Sequence, residues 1–490
     1  MQRESAGHPV PRRRVLMMAL LAATTLSAGC AVTPAPDGAA IRDDALQGVA
    51  LRGDWAGSVA DGDVTDGWLA SFADAELERL VAEALQANPD LRAVGARVEQ
   101  AQARLAVAQG MLKPAISLLG SGSSNFGSDF GGLTGAILSV SWELDLWGRL
   151  RYARNAASED YVSAQSDLAF ARQLLAARVA QTWFTATQVA LQRDLAHEQV
   201  KASDELVALS RKRLDVGASD ERDVVLAEAS TNQFRDAAAQ IDLAYTQTLR
   251  ALELLLGRYP AAEVQARSEL PAPPAEVPAG QPLQMLERRP DLVAAERRVA
   301  AAFNRVGEAQ AAKLPVLTLT ASGSYIDSEV LVLKSDYDTP SAGGALRLLA
   351  PLYTGGQLTA QVELRTAQQR EAVAAYTGAA LAAIGDVENA LNATRTLEQR
   401  RAVLELANTQ NERALELEKI SFKVGRSDLR NVLQQQVQLY GTRNALLAVR
   451  GDQLVQRVNL YLSLGGNFAP APPTESTDSG EVEPEPDPAS

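Results

Sequence analysis

The chain has 490 residues, of which 22% are charged and only 5% aromatic, and a formal net charge of −13. Such acidity argues against a nucleic-acid binder, which carries a basic surface. With two histidines (His8, His197) and one cysteine (Cys30), no Ser/His/Asp, Cys/His or metal-ligand set can be assembled, so neither an enzyme nor a cofactor site is expected.

Arg12-Arg13-Arg14 is followed by an apolar stretch from Val15 to Leu26, the length of a signal-peptide core and too short to span a bilayer. Leu26-Ser27-Ala28-Gly29-Cys30 then places small residues before a lone thiol. This reads as a lipoprotein cleavage site, with residues 1–29 removed and a diacylglycerol on Cys30; the alternative is a plain secretory signal with an incidental cysteine. Ser27 occupies the position where a lipobox usually has leucine, and Leu26 lies one step earlier. Cleavage would remove Arg3, Arg12, Arg13, Arg14 and Glu4, taking the net charge from −13 to about −16. Ala31 resembles the sorting residue of outer-membrane lipoproteins. No later stretch reaches the roughly 18 apolar residues of a spanning helix.

Residues 30–67 are Gly-, Ala- and Asp-rich and read as an extended, lipidated arm. Trp68 and Phe72 introduce a helix over 73–87 with Leu77, Leu80, Val81, Ala84 and Leu85 on one face. Asn88 reads as the N-cap of a second helix, with Pro89 at its first position and an end near Met111. Pro114 ends it and strands begin. Leu138, Val140, Trp142, Leu144 and Leu146 alternate with Ser139, Ser141, Glu143 and Asp145, and Leu317, Leu319 and Ala321 with Thr318, Thr320 and Ser322. This period of two fits an antiparallel sheet on a soluble core. It also fits membrane-barrel strands, with Leu138, Val140, Trp142 and Leu144 facing lipid and Ser141, Glu143 and Asp145 the lumen or its periplasmic rim. Four strands cannot close, since small barrels need about eight, and open edges cannot face lipid. A membrane sheet therefore requires further subunits.

From Arg149 to Val216 there is neither Pro nor Gly, and Leu191, Leu195, Ala202, Leu206 and Leu209 follow heptad-like spacing. An unbroken helix here would be about 100 Å long, too long for a soluble globule to cover but suited to a periplasm-scale tube. Gly217 ends it, and Ser219 reads as the cap of a return helix over 220–256. The pattern recurs at 357–424, a turn at Gly425-Arg426-Ser427-Asp428, and 429–464. Residues 258–281 form a Pro/Ala/Glu linker, and 467–490 an acidic, proline-rich tail expected to be disordered.

The chain repeats itself. Asn88-Pro89-Asp90-Leu91 returns as Arg289-Pro290-Asp291-Leu292 and Pro114 as Pro315, 201 positions on. Gly148 returns as Gly356, Gly217 as Gly425 and Gly257 as Gly465, 208 positions on. One seven-residue insertion explains the change of offset, so residues 68–257 and 282–466 read as two copies of one unit.

Trp68…Phe72…Asp74…Leu77, the two Pro-Asp-Leu helix starts, Asp145-Leu146-Trp147-Gly148, Pro351-Leu352-Tyr353-Thr354-Gly355-Gly356 and Leu460-Tyr461-Leu462-Ser463-Leu464-Gly465-Gly466 resemble the TolC-like outer-membrane efflux proteins. The lipobox resembles their lipoprotein (NodT-type) branch, which works with resistance-nodulation-division pumps. The resemblance implies a mixed α and β membrane protein with a long α-helical barrel. It implies a homotrimer in which four strands per subunit make a twelve-stranded β-barrel in outer-membrane lipid. The function implied is the exit duct of a tripartite efflux pump, with a periplasmic membrane-fusion adaptor and an inner-membrane resistance-nodulation-division transporter as partners, and neither nucleic acid nor cofactor. The exit duct of a type I protein-secretion system, or a lipid-anchored periplasmic coiled-coil scaffold, are the alternatives.

In this family the helix-turn-helix tips dock the adaptor and form the gate. The resemblance thus points to Arg213, Val216, Gly217 and Ser219 in one tip and Lys423, Val424, Gly425 and Ser427 in the other. An ordinary turn with a glycine C-cap is compatible with both roles. Family members often carry an acid nine residues after the second tip glycine; this chain has Gln434. The gate candidates are accordingly Asp223, Glu228, Asp428, Arg430 and Gln434.

Overall fold

A computed structural model describes residues 32–50, 52–57, 62, 64–121, 134–327 and 340–469. The proposed signal peptide, Cys30 and most of the acidic tail lie outside these residues. Helices and strands follow in the order α1 (Gly38–Leu46), α2 (Ala75–Ala87), α3 (Pro89–Gly110), β1 (Ala115–Ser121), β2 (Thr134–Leu144), α4 (Arg149–Asp215), α5 (Glu221–Leu255), α6 (Pro282–Arg288), α7 (Pro290–Ala311), β3 (Val316–Asp327), β4 (Ser341–Leu349), α8 (Gln357–Lys423) and α9 (Leu429–Ser463). Elements 201 or 208 positions apart have equal helix lengths: α3 and α7 have 22 residues, α4 and α8 have 67, α5 and α9 have 35. No helix among the described residues is long and apolar enough to cross a membrane.

Carboxylate caps correct several expected boundaries. The arm is not extended throughout, because the Asp37 side chain accepts the Ala40 N–H and starts α1. Helix α2 begins at Ala75 rather than 73: Ala73 has φ 49° after a 3-10 turn at Ala70–Phe72, and Asp74 caps the helix through the Leu77 N–H. Strand β2 stops at Leu144, so Leu146 drops out of the alternation. The cause is Asp145, whose carboxylate accepts the N–H groups of Leu150 (3.0 Å) and Arg151 (2.9 Å) at the start of α4. Asp220, not Ser219, caps α5 by accepting the Asp223 N–H.

The described residues form two compact units. The first comprises Met1–Leu51, Ala93–Ala169 and Pro290–Ala382. It contains one antiparallel sheet in the order β1-β2-β3-β4. Trp147 Nε1 donates to the Pro315 carbonyl (2.8 Å), and Trp142 Nε1 to the Leu112 carbonyl (2.9 Å), fixing the sheet to the helix ends that lead into it. Beside it α4 and α7 are joined by ion pairs Asp167–Arg298 (2.5 Å) and Asp160–Arg305, and by Ser163 Oγ donating to the Ala294 carbonyl (3.0 Å). Arg42 of α1 pairs with Glu296 of α7 (3.2 Å), and Thr377 of α8 donates to the Ala45 carbonyl (2.9 Å), so the arm is held to the helices.

The second unit comprises Arg52–Arg92, Phe170–Arg289 and Ala383–Ser490. Its core gathers Leu77, Leu80, Trp183, Phe184, Leu252 and Leu256, all buried. Trp68 stacks on Tyr461 at 5.8 Å, and Phe72 meets Phe184 at 4.9 Å. Asp74 is buried beneath them. Burial pushes its pKa up, but the Trp183 Nε1–H bond (2.9 Å) and Arg267 (3.0 Å) outweigh this and hold the carboxyl below its usual value. The two Pro-Asp-Leu motifs make helix splices. Asn88 Nδ2 donates to the Leu255 carbonyl at the end of α5 (2.9 Å), and Arg289 Nη1 donates to the Ser463 carbonyl at the end of α9 (3.3 Å). Each satisfies a carbonyl that the helix itself leaves free.

Candidate functional site

Two surfaces stand out, one in each unit. The first is the sheet. Directly opposite residues share a face, which puts Leu118, Leu138 and Gly323 in one row, Ile116, Val140, Ala321 and Gly344 in the next, then Trp142, Leu319 and Leu346, then Leu144, Leu317 and Leu348. The opposite face carries Ser117, Ser139, Ser141, Ser322, Thr320, Thr318 and Glu143. Ser117 and Ser139 hydroxyls bond at 2.8 Å, and Glu143 forms a bidentate pair with Arg149. Leu138, Val140, Trp142 and Leu144 therefore lie together on the apolar face. No sheet residue with a described side chain is buried, and Ile116 and Leu118 are each 71% exposed in the single chain. A soluble sheet would cover its apolar face with a core, and this one covers neither.

The second surface is formed by the α4–α5 and α8–α9 turns. In each, the glycine and its successor close the helix identically. Gly217 N–H donates to Leu214 and Ala218 N–H to Arg213; Gly425 N–H donates to Phe422 and Arg426 N–H to Ser421. Gly217 has φ 68° and Gly425 φ 75°, the left-handed conformation such a C-cap needs. Val216 (73% exposed) and Val424 (64%) project at matching positions, with exposed Lys423 beside the latter. Ser219 Oγ donates to the Ser210 carbonyl (3.5 Å) and Ser427 Oγ to Glu418 (2.7 Å), which folds both hydroxyls back onto the preceding helices.

Between these turns lies a contact that the sequence did not disclose. Arg213 Nη1 donates to the Phe422 carbonyl (3.1 Å), and its guanidinium sits over the Phe422 ring at 4.4 Å, while Nη2 reaches the Ala218 carbonyl (3.3 Å). Beneath it one apolar cluster joins both hairpins through Leu206, Val207, Ala227, Leu415, Phe422, Leu429, Val432 and Leu433. In the sequence the sign of Phe422 was an aromatic residue close before a polar turn; its place in the last turn of α8 and its burial come from the structure. Of the gate candidates, Glu228 pairs with Arg211 across α4 and α5. Asp428 stands at the N-cap position of α9 without a side-chain bond, and Arg430 and Gln434 are exposed. Among the described residues no ion pair or hydrogen bond joins Asp223, Asp428, Arg430 and Gln434 to one another. His197 is exposed and bonds Asp242 (3.1 Å). No cluster of His, Cys, Asp and Glu fit to hold a metal ion occurs among the described residues.

An uncovered two-faced sheet continuing into paired long helices with matched turns defines a membrane channel subunit rather than a soluble globule. The chain belongs to the outer membrane efflux protein family, whose family model matches residues 80–258 and 282–466. It is similar to the pyoverdine export outer membrane protein OpmQ of Pseudomonas putida, with 31% identity over 425 residues covering 83% of this chain and 89% of that protein. It is also similar to the antibiotic efflux pump outer membrane protein ArpC of Pseudomonas putida, with 29% identity covering 92% and 96%. Among solved structures, the outer membrane protein VceC of Vibrio cholerae superposes with a TM-score of 0.72 at 25% identity, covering 83% of this chain and all of that one. The protein is an outer-membrane efflux channel.

Proposed function

We propose that three copies of this chain close a twelve-stranded barrel and a helical tunnel, and that this tunnel is the exit duct of a tripartite pump for small molecules. The carrying observation is the sheet with an uncovered apolar face and two unpaired edges, β1 and β4. In lipid such edges are untenable unless further strands complete them. On this reading residues 68–257 and 282–466 are two copies of one unit, joined by the 258–281 linker and followed by an acidic tail. Residues 1–29 are a signal peptide, and Cys30 carries the lipid at the head of the arm. Relatives named for pyoverdine export and antibiotic efflux support a small-molecule cargo. The exposed valines at both turns support docking of a helical periplasmic adaptor, itself bound to an inner-membrane resistance-nodulation-division transporter.

Alkaline carbonate and urea extraction of outer membranes tests the barrel. A barrel stays in the membrane, in the wild type and in Cys30→Ser with the signal retained; release of Cys30→Ser while the lipidated wild type is retained would favour a lipid-anchored periplasmic scaffold. Palmitate labelling of the wild type, absent from Cys30→Ser, tests the lipid anchor.

A further inference from the structure

The numbering of the strands carries the sheet across its open edges. Ala115 faces Ser141. Adding 201 to the first and 208 to the second gives Val316 and Leu349, which are observed partners. Leu118 and Leu138 become Leu319 and Leu346, again observed partners. The offsets found in the sequence thus convert the β1–β2 register into the β3–β4 register without slippage. Applied to the remaining pair, the same operation moves β2 onto β4 and β3 back onto β1. Since β1 and β4 are the two edges of one chain, the result is a pairing between two chains.

Ser141 faces Thr320, which gives Leu349 opposite Leu119. Trp142 and Leu319 give Ala350 opposite Leu118, and Leu144 and Leu317 give Leu352 opposite Ile116. We propose that β4 of one subunit pairs antiparallel with β1 of the next in this register, with Leu349 directly opposite Leu119. The inference rests on the trimeric reading above and specifies its seam.

Two independent features favour it. Among the described side chains the polar face of the sheet carries four large apolar exceptions, Leu119, Ile137, Val316 and Leu349. Within the chain Leu119 faces Ile137 and Val316 faces Leu349, and the proposed register sets Leu349 beside Leu119, so all four fall in one row. On the apolar face Leu352 is 95% exposed in the single chain although it follows the end of β4. The register extends pairing past Leu349 and sets Leu352 beside Ile116. A slip of one residue would turn Leu352 and Ile116 to opposite faces. A slip of two would separate Leu349 from Leu119.

Cysteine pairs in the full-length protein read this register directly. Opposed residues in antiparallel strands have Cα atoms about 4.5–5.5 Å apart, within the range a disulfide accepts. A two-residue slip puts them about 8 Å apart, beyond it. Leu119→Cys with Leu349→Cys should give covalent dimers and trimers on non-reducing denaturing gels, whereas Ser117→Cys or Ser121→Cys with Leu349→Cys should not. Each single variant controls for Cys30, and wild-type amounts of protein in the outer membrane control for assembly. Should a displaced pair link best while trimers persist, the register is overturned and the trimer stands. Well-folded variants that run as monomers with no link at any position would overturn the trimeric reading itself.

Discussion

The contact of Arg213 with Phe422 should set how tightly the two helical hairpins of a chain are held together. The guanidinium makes one good charge-assisted bond to the Phe422 carbonyl and one long bond to the Ala218 carbonyl. It also lies 4.4 Å from the Phe422 ring centre. At a partly exposed site the cation–π contact contributes about 0.5–1 kcal/mol, and the two hydrogen bonds, discounted for solvent, about 1–1.5 kcal/mol. Losing both costs about 2 kcal/mol, or roughly 30-fold in the equilibrium for separating the hairpins. Arg213→Gln should therefore lower hydrogen-exchange protection of segments 206–220 and 420–433 by about that factor. Arg213→Lys keeps a charge but not the fork and should lie between. A double-mutant cycle of Arg213→Gln with Phe422→Leu should give a coupling of about 0.5–1 kcal/mol, the ring contribution alone. Unchanged protection in both single variants, or zero coupling, would show that the contact holds nothing.

Four further outcomes follow from the same geometry. A Cβ at Gly217 or Gly425 meets no atom within 4 Å, so the cost of a side chain there is backbone strain of about 1–2 kcal/mol; Gly217→Val and Gly425→Val should abolish drug resistance while trimers persist on gels. A Cβ at Gly257 would lie 2.7 Å from the Ala87 carbonyl oxygen and one at Gly465 3.1 Å from the Arg288 carbonyl carbon, so Gly257→Ala and Gly465→Ala should lower the yield of folded protein instead. In the sheet, Val140→Arg should cost about 2–4 kcal/mol if the site is near the bilayer centre, and Ser141→Arg much less; equal losses of trimer heat resistance would remove the assignment of faces. Finally, Asp74 has its pKa held below the ordinary carboxylate value. Its stabilisation is present above the unfolded pKa and is lost as pH falls through the lowered folded value. Thermal unfolding of the wild type should weaken in that acid window, and Asp74→Asn should be less stable at neutral pH with a flatter acid limb.

How much of this was legible in the sequence varied with the physics of each feature. Helix α4 was readable because it lacks Pro and Gly and ends at a glycine that must take a positive φ, and α8, which contains Gly378 and Gly385, because it repeats α4 208 positions on and ends at Gly425. Strand β2 was readable because its alternation is strict. Strands β1 and β4 were not, because Leu119 and Leu349 put apolar side chains on the polar face and blur the period of two. Boundaries were missed where a carboxylate stops one element to cap the next, as Asp145 does between β2 and α4. The turns were readable through Gly217 and Gly425, but the contact that links them was not. Arg213 and Phe422 are 209 positions apart on different helices, and no local pattern connects them.

The two offsets also show where the halves of the chain cease to be alike. Asp160 and Asp167, which pair with Arg305 and Arg298, correspond 208 positions on to Gln368 and Ala375, while Arg97 and Arg104 stand 201 positions before Arg298 and Arg305. Arg213 corresponds to Ser421, and Phe422 to Leu214. In the proposed three-fold assembly the seam between α8 of one copy and α3 of the next therefore keeps the arginines but loses their acids. The seam between the second turn of one copy and the first turn of the next likewise has serine and leucine where the chain itself has guanidinium and ring. The backbone would repeat six times around the axis, but the ionic pairs and the Arg213 contact would occur at alternate seams only. Separation between copies would then break fewer polar contacts than separation within a copy. The two hairpins of one chain should consequently move together, held by the shared apolar cluster and by the Arg213 contact above it.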